Sequence, residues 1–335
     1  MAVTAPSGAA SAGRTRPYHA ADLAVLVPTK DRPGKIRELL SSLAAQDVKC
    51  GRIIIVDGGE SVRDVVMSFA DRLPVEHHIC QPPGQIRQRN MGIALLDERT
   101  PLVASLDDDI VLEAGAVANM IAFWNGIEPE TAGVSFNIIN GPPEQQSWIR
   151  ERFFVTAGVP GRVLPSGLTS SNCAVTEDVR TQWLCGGATV WRLDILRSSI
   201  HREIKAKWAI AEDAIFSYPI GKRFPLYVCA AARVRHEHVF DYRVKTPHRF
   251  HGYTQTTWVF YFVRSNPDLS VAAFFWMVAG TAVGRFAGGI LKRDAARVQF
   301  AVGQLHGAAR AAWAVITGAA PASVVGEPAG RPVSG

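Results

Sequence analysis

The chain has 335 residues, 47% hydrophobic and 20% charged, enough apolar material for a large core in one compact domain plus an appendage. The formal net charge is +6 at pH 7, and the excess is uneven: from Tyr242 onward ten Lys and Arg stand against three Asp and Glu, a balance that prefers an anionic neighbour. Five scattered cysteines, an odd number without a CxxC pair, argue against a disulfide framework and a cysteine-built zinc site.

Residues 1–20 are rich in Ala, Ser and Gly and lack the continuous apolar stretch of a secretory signal, so they read as a disordered leader. Short apolar runs then alternate with segments of helical period. LAVLV (Leu23 to Val27), RIIIV (Arg52 to Val56), VEHHI (Val75 to Ile79) and PLVASL (Pro101 to Leu106) read as buried strands. Between them, Ile36 to Gln46, Val62 to Leu73 and Ile86 to Leu96 place apolar residues three and four apart, as helices on a sheet do. This alternation predicts an α/β fold with a mainly parallel, doubly wound sheet, whose ligands collect beyond the carboxyl ends of the strands.

The turns after those strands carry the chemistry. The first is Pro28-Thr29-Lys30-Asp31-Arg32-Pro33, in which Thr29 and Asp31 can touch a nucleotide and Arg32 a phosphate, although capping by Asp31 ahead of Pro33 explains the same residues. The second ends in Asp57 before Gly58-Gly59; its carboxylate can accept from a base or ribose, or simply hold the turn. The third, QPPGQIRQRN, sets Arg87, Arg89 and Asn90 at a helix start suited to phosphate, with a solvated basic face as the bland alternative. The fourth is Asp107-Asp108-Asp109, ahead of a helix expected near Glu113. Three adjacent carboxylates repel unless a cation neutralises them, and in strand-like geometry the first and third share one hard divalent ion. An acidic turn or a helix N-cap by Asp109 is the alternative.

After Asn140 the rhythm is lost in a Pro- and Gly-punctuated stretch to residue 182, read as an insertion or acceptor-side loop. Order returns near Trp183, with GGATVW as a strand and LDILRS as a helix start.

VLVPTKDRP, IIIVDGGE, QRNMGI and LVASLDDDIVLE resemble, in order and spacing, the nucleotide-sugar half of family 2 glycosyltransferases of the GT-A fold. The likeness continues through WLCGGATVWRLDIL and AIAEDAIFSYPIGK, from about Leu23 to Phe262. It implies a Rossmann-like GT-A unit over 21–245, with a nucleotide-sugar half to about 140, an acceptor half after it and a C-terminal helical appendage. By that resemblance Pro28, Thr29, Asp31, Arg32, Asp57, Arg89, Asn90, Asp107 and Asp108 line the donor site, and Asp107 and Asp109 bind Mn²⁺ or Mg²⁺. Asp213 is then the catalytic base assisted by Glu212, and Trp183, Gly186 and Gly187 form the acceptor loop. LYVCAAARVRHEHV supplies His236 as a further metal ligand; His238, two residues on, shares its face in a strand and stays open. The family often carries Arg-Asn where this chain has Gln255 to Trp258, which weakens a phosphate role for that helix.

The expected activity is inverting transfer of a hexosyl or deoxyhexosyl group from a UDP or dTDP sugar to a glycan or lipid-linked acceptor. DDDIV also fits the nucleophile loop of haloacid-dehalogenase-like phosphatases, but those place it after the first strand. A non-catalytic membrane scaffold is a third reading, opposed by the complete triplet together with Asp213.

From residue 246 to 318 the chain is apolar, basic and helical in period, with breaks at Pro267 and at Gly288-Gly289, and 319–335 reads as a flexible tail. The run Leu269 to Gly284 is short for a span. An interfacial position on an anionic membrane, at the cytoplasmic face, is favoured over nucleic acid; an ordinary helical subdomain or homodimer contact is the competing use of that surface.

Overall fold

A computed structural model describes residues 16–199, 211–237 and 247–325. The four expected strands form as β1 (Leu23–Thr29), β2 (Arg52–Asp57), β3 (Val75–Ile79) and β4 (Leu102–Leu106), joined by α1 (Pro33–Ala44), α2 (Arg63–Met67) and α3 (Gln85–Leu95). After β4 come β5 (Ile110–Leu112), α4 (Ala116–Gly126), β6 (Gly133–Ile138), α5 (Trp148–Arg152), β7 (Val179–Thr181), β8 (Ala188–Arg192), α6 (Leu193–Ser198), α7 (Glu212–Gly221) and β9 (Leu226–His236).

All nine strands share one sheet in the order β3-β2-β1-β4-β8-β6-β9-β5, with β7 added on β9. β1 to β4 are parallel; β8 runs against β4 and β6, β9 is parallel to β6, and β5 and β7 run against β9. Six strands therefore point one way and three the other, a mixed and mostly parallel sheet. Alternation along each strand fills two cores. Leu23, Val25 and Val27 pack with Ile36, Leu39, Val66 and Met120 of α1, α2 and α4 on one face. Ala24 and Leu26 pack with Ile93 of α3 and Leu193 of α6 on the other.

The structure departs from the sequence reading in several places. The aspartate triplet is followed by β5, not a helix; α4 starts only at Ala116, so Asp109 caps nothing. Residues 16–20, read as leader, pack on α4: Tyr18 meets Trp124 edge-on at 6.1 Å and its backbone N–H donates to Asn125 Oδ1 at 2.8 Å. Residues 1–15 and 326–335, and His238, lie outside the described residues.

The appendage consists of α8 (His248–Ser265), α9 (Val271–Leu291), α10 (Ala295–Thr317) and a short α11 (Ala322–Val325), whose Val324 and Val325 are buried although the sequence reads as tail. Pro267 does separate helices, but Gly288-Gly289 does not: α9 runs through both. A Cβ on Gly289 would lie 2.7 Å from Val298 Cγ2, so this glycine lets α10 approach and does not break the helix. The apolar run thus extends to Leu291, and α9 is long and apolar enough to cross a membrane by length and composition. α8 docks on the catalytic unit through Tyr218 and Phe262, edge-on at 5.6 Å, and through Lys222, which donates to Asn266 Oδ1 at 3.1 Å and pairs with Asp268.

Candidate active site

At the carboxyl ends of β1 and β4 a cleft of about 430 Å³ opens, lined by Pro28, Thr29, Lys30, Arg32, Gln85, Gln88, Asp107 to Asp109 and His236, among others. The parallel half of the sheet places it there, because the turns that follow β1 to β4 all emerge on the same edge.

The aspartates form a turn between β4 and β5, so turn geometry, not strand alternation, aims them. Asp108 points into the β1 turn, accepting from Thr29 Oγ1 at 2.7 Å and from Arg32 Nη1 at 2.5 Å. Burial pushes its carboxyl up to about 6 in spite of those two donors. Arg32 also donates to Asp109 Oδ2 at 3.0 Å. Its guanidinium is therefore engaged by two carboxylates.

Asp107 and Asp109 converge with His236. The β5–β9 ladder pairs Ile110 with His236, which sets the imidazole beside Asp109: Nε2 lies 2.8 Å from Asp109 Oδ1 and 4.0 Å from Asp107 Oδ2. Ligand atoms of the three residues all lie within 4.8 Å of one another. Burial raises the Asp109 carboxyl, but His236 and Arg32 outweigh it and hold it at about 2. Gly187 makes room here; a Cβ on it would fall 2.1 Å from Asp107 Oδ2.

Arg89 is 2% exposed and joins this cluster to the start of α7. Its Nη2 donates to Asp107 Oδ1 and its Nη1 to Glu212 Oε1, each at 2.9 Å. Burial works against the guanidinium charge, yet Asp107 and Glu212 raise its pKa on balance. Glu212 and Asp213 form the first turn of α7, with the Asp213 carboxylate accepting its neighbour Ala214 N–H at 3.0 Å. Burial raises both carboxyls above their ordinary values, most of all through lost solvation. Gly186 faces them: a Cβ there would lie 3.3 Å from Asp213 Cβ and 3.5 Å from Arg89 Nη1.

Other expected residues lie apart from the cleft. Asp57 is 1% exposed; it accepts Gly59 N–H at 3.0 Å, Val62 N–H at 2.9 Å and pairs with His77 Nε2 at 3.1 Å, the turn-holding alternative. Asp31 does not cap α1. It takes a left-handed φ of 56° and accepts Glu60 N–H at 2.6 Å, tying the first turn to the second. Asn90 is half-buried on α3 beside Arg89. Arg87 donates to Pro82 O at 3.1 Å on the surface. Trp183 donates Nε1–H to Ser170 O at 3.1 Å and packs near Ala214 and Tyr218 of α7.

Sequence reasoning missed two glutamines. Gln88 is buried and its amide donates to Thr29 O and Val56 O, both at 2.7 Å, bracing the ends of β1 and β2. Gln85, one turn earlier, donates to Asp107 Oδ1 at 3.2 Å. Gln85, Gln88 and Arg89 share a helical face by spacing, and that was the available signal.

The model of glycosyl transferase family 2 matches residues 24–179. Among solved structures, S. aureus TarS 1-349 aligns with a TM-score of 0.51 at 15% identity, covering 88% of this chain and 91% of that one. TarS 1-349 in complex with UDP-GlcNAc gives 0.50 at 14%, covering 88% and 92%. The mannosyltransferase PcManGT from Pyrobaculum calidifontis, solved with GDP-Man and Mn²⁺, gives 0.52 at 16%, covering 93% and 84%. No curated protein matches the sequence. Likenesses at such identities carry the fold, and the family match favours the glycosyltransferase reading over the phosphatase one across the residues it spans. Residues 24–179, just under half of the chain, match the glycosyl transferase family 2 model, and the chain as a whole has the GT-A fold of the glycosyltransferases it aligns with.

Proposed function

We propose that the enzyme transfers a sugar with inversion from a nucleoside diphosphate donor to a hydroxyl of a glycan or lipid-linked acceptor. The convergence of Asp107, Asp109 and His236 at the cleft carries this reading. Two carboxylates and an imidazole suit Mn²⁺ or Mg²⁺. The atoms nearest His236 Nε2, Asp107 Oδ2 and Asp109 Oδ1, are those that Arg89 and Arg32 leave alone. When bound, the ion supplies Lewis-acid neutralisation of the departing diphosphate.

The chain's own groups divide the remaining work. The Thr29 to Arg32 turn and Gln85 line the donor side, where Arg32 is available to phosphate if it exchanges one of its carboxylate partners. Asp213 takes the proton from the acceptor hydroxyl as its oxygen bonds the anomeric carbon and the bond to the diphosphate oxygen breaks. Its raised pKa makes it a better base than an ordinary aspartate. Arg89 orients Asp107 and Glu212 toward one another and offers positive charge near the leaving group. Gly186 and Gly187 let Asp213 and Asp107 pack close to the backbone ahead of β8, which brings the base and the metal-site carboxylate to the same loop. TarS was solved with UDP-GlcNAc and PcManGT with GDP-Man, so the donor is assigned here as a nucleoside diphosphate sugar without choosing a base. The test is release of nucleoside diphosphate from a panel of sugar donors, with Mn²⁺, Mg²⁺ or chelator; no release from any donor in any condition overturns the reading.

A further inference from the structure

The face of α9 turned away from the protein carries a stripe with no polar residue on it. Ala272, Trp276, Ala279, Val283, Ala287 and Ile290 recur three and four apart, and all are exposed, Val283 at 69% and Ile290 at 71%. The opposite face, with Phe274, Met277 and Val278, is buried against α8 and α10. A soluble helix normally presents charge outward, so an outward face this apolar marks a contact surface.

A second element extends the patch. Trp276 Nε1 donates to Arg152 O at 2.8 Å and its ring stacks on Phe153 at 4.9 Å, which fastens α5 alongside α9. α5 in turn presents Trp148, 72% exposed, and Ile149. Arginines flank the apolar surface. Arg285 sits on α9 with the neutral amide of Gln304 at 2.7 Å and the Phe300 ring at 4.3 Å as its partners among the described residues. Burial, with Arg150 of α5 and Arg297 of α10 nearby, pushes its pKa below the usual value. Three guanidiniums thus gather beside exposed tryptophan and aliphatic side chains.

We propose that this α5–α9 platform lies on an anionic lipid bilayer, with Trp148, Ile149, Trp276, Val283 and Ile290 entering the acyl boundary and the arginines meeting headgroup phosphates. Large apolar side chains on one face with flanking cations are what an interfacial helix requires. A second copy of this chain fits the surface less well, since it would set Arg150 and Arg285 of the two copies against one another, while Asp294 is already paired with Arg297 at 3.1 Å. Crossing the bilayer would require stripping Phe274, Met277 and Val278 from α8 and α10. The platform joins the catalytic unit through α8, which contacts α7 behind Glu212 and Asp213. Docking therefore orients the acceptor side relative to the lipid surface, and in that purpose alone it rests on the glycosyltransferase reading.

The full chain is sedimented with sucrose-loaded vesicles of phosphatidylcholine alone or mixed with phosphatidylglycerol, at low and high salt. Binding to the mixed vesicles, weakened by salt and by alkaline carbonate washing, is expected. Val283→Glu with Ile290→Glu should abolish it, and Arg150→Gln should reduce the partition coefficient about fivefold, the worth of one cation at an anionic surface. Both changes lie on exposed positions outside the active site, so donor hydrolysis in solution and melting temperature should stay as in the wild type, which separates this proposal from the catalytic one. Equal binding to both vesicles, retention after carbonate washing, no binding at all, or a dimer in solution that the glutamates dissociate would each overturn it.

Discussion

Arg89 Nη1 lies 2.9 Å from Glu212 Oε1, a bond that ties α3 to the first turn of α7. The same guanidinium reaches Asp107, so one buried cation balances two carboxylates on different elements. Replacing it by methionine leaves both without that partner, and a loss of about 3 kcal/mol of unfolding free energy is expected, at the lower end for broken buried pairs. Arg89→Lys keeps the charge but not the two-armed reach, and should fall between. Urea unfolding of the three proteins measures this; equal stability of wild type and Arg89→Met would remove the bridge from the account.

Gly187 is expected to tolerate no side chain. A methyl group there would sit 2.1 Å from Asp107 Oδ2, inside contact distance, so Gly187→Ala must turn that carboxylate away. The Mn²⁺ concentration for half-maximal activity should rise at least about tenfold, the range seen when metal-site supports are disturbed. At Gly186 the nearest atom is 3.3 Å away, and alanine there should leave the metal requirement nearly unchanged.

The raised Asp213 pKa has consequences of opposite sign for rate and stability. A base must be deprotonated, so kcat/KM should fall as pH drops through the folded-state value, at a pH above the ordinary aspartate range. For stability, a carboxyl with a raised folded pKa contributes fully below its unfolded value, and this contribution is lost as pH rises through the folded one. At neutral pH the buried charge therefore destabilises the fold. Asp213→Asn should abolish turnover yet raise Tm at pH 7, with the difference vanishing in acid. A Tm below wild type at pH 7 would contradict this.

Donor binding should separate the two acidic sites. By calorimetry with Mn²⁺ and the nucleotide, Asp213→Asn is expected to bind as wild type does, whereas Asp109→Ala loses both the ion and the nucleotide affinity that depends on it. Matching losses in the two variants would mean that the roles are wrongly divided.

The parallel half of the fold was legible because strands buried on both faces read as continuous apolar runs, as Ile53 to Val56 do. β6 went unnoticed, its Ser135 and Asn137 interrupting the apolar run although both are buried and hydrogen-bonded. β5, three residues long, carries no pattern at all. Asp107, Asp109 and Asp213 were readable as chemical types at strand and helix ends. What no local pattern could give was Arg89 joining Asp107 to Glu212, a contact spanning 123 positions from Arg89 to Glu212, or the pairing of Asp57 with His77 on the neighbouring strand. Those depend on which elements the sheet order brings side by side.

Between Phe136 and Asn137 of β6 the ladder advances one residue, while its partner β9 advances from Cys229 to Arg233. Three alanines, Ala230 to Ala232, make up the surplus, and Asn137 Nδ2 binds the Ala230 carbonyl at 3.1 Å. Their side chains do no chemistry, yet their number decides whether imidazole, guanidinium or carboxylate arrives opposite Ile110, because each single-residue slip turns a strand's faces over. Insertions and deletions in this stretch should thus be purged by selection as strictly as changes to His236 itself, whereas alanine-to-serine drift at the exposed Ala231 passes unseen.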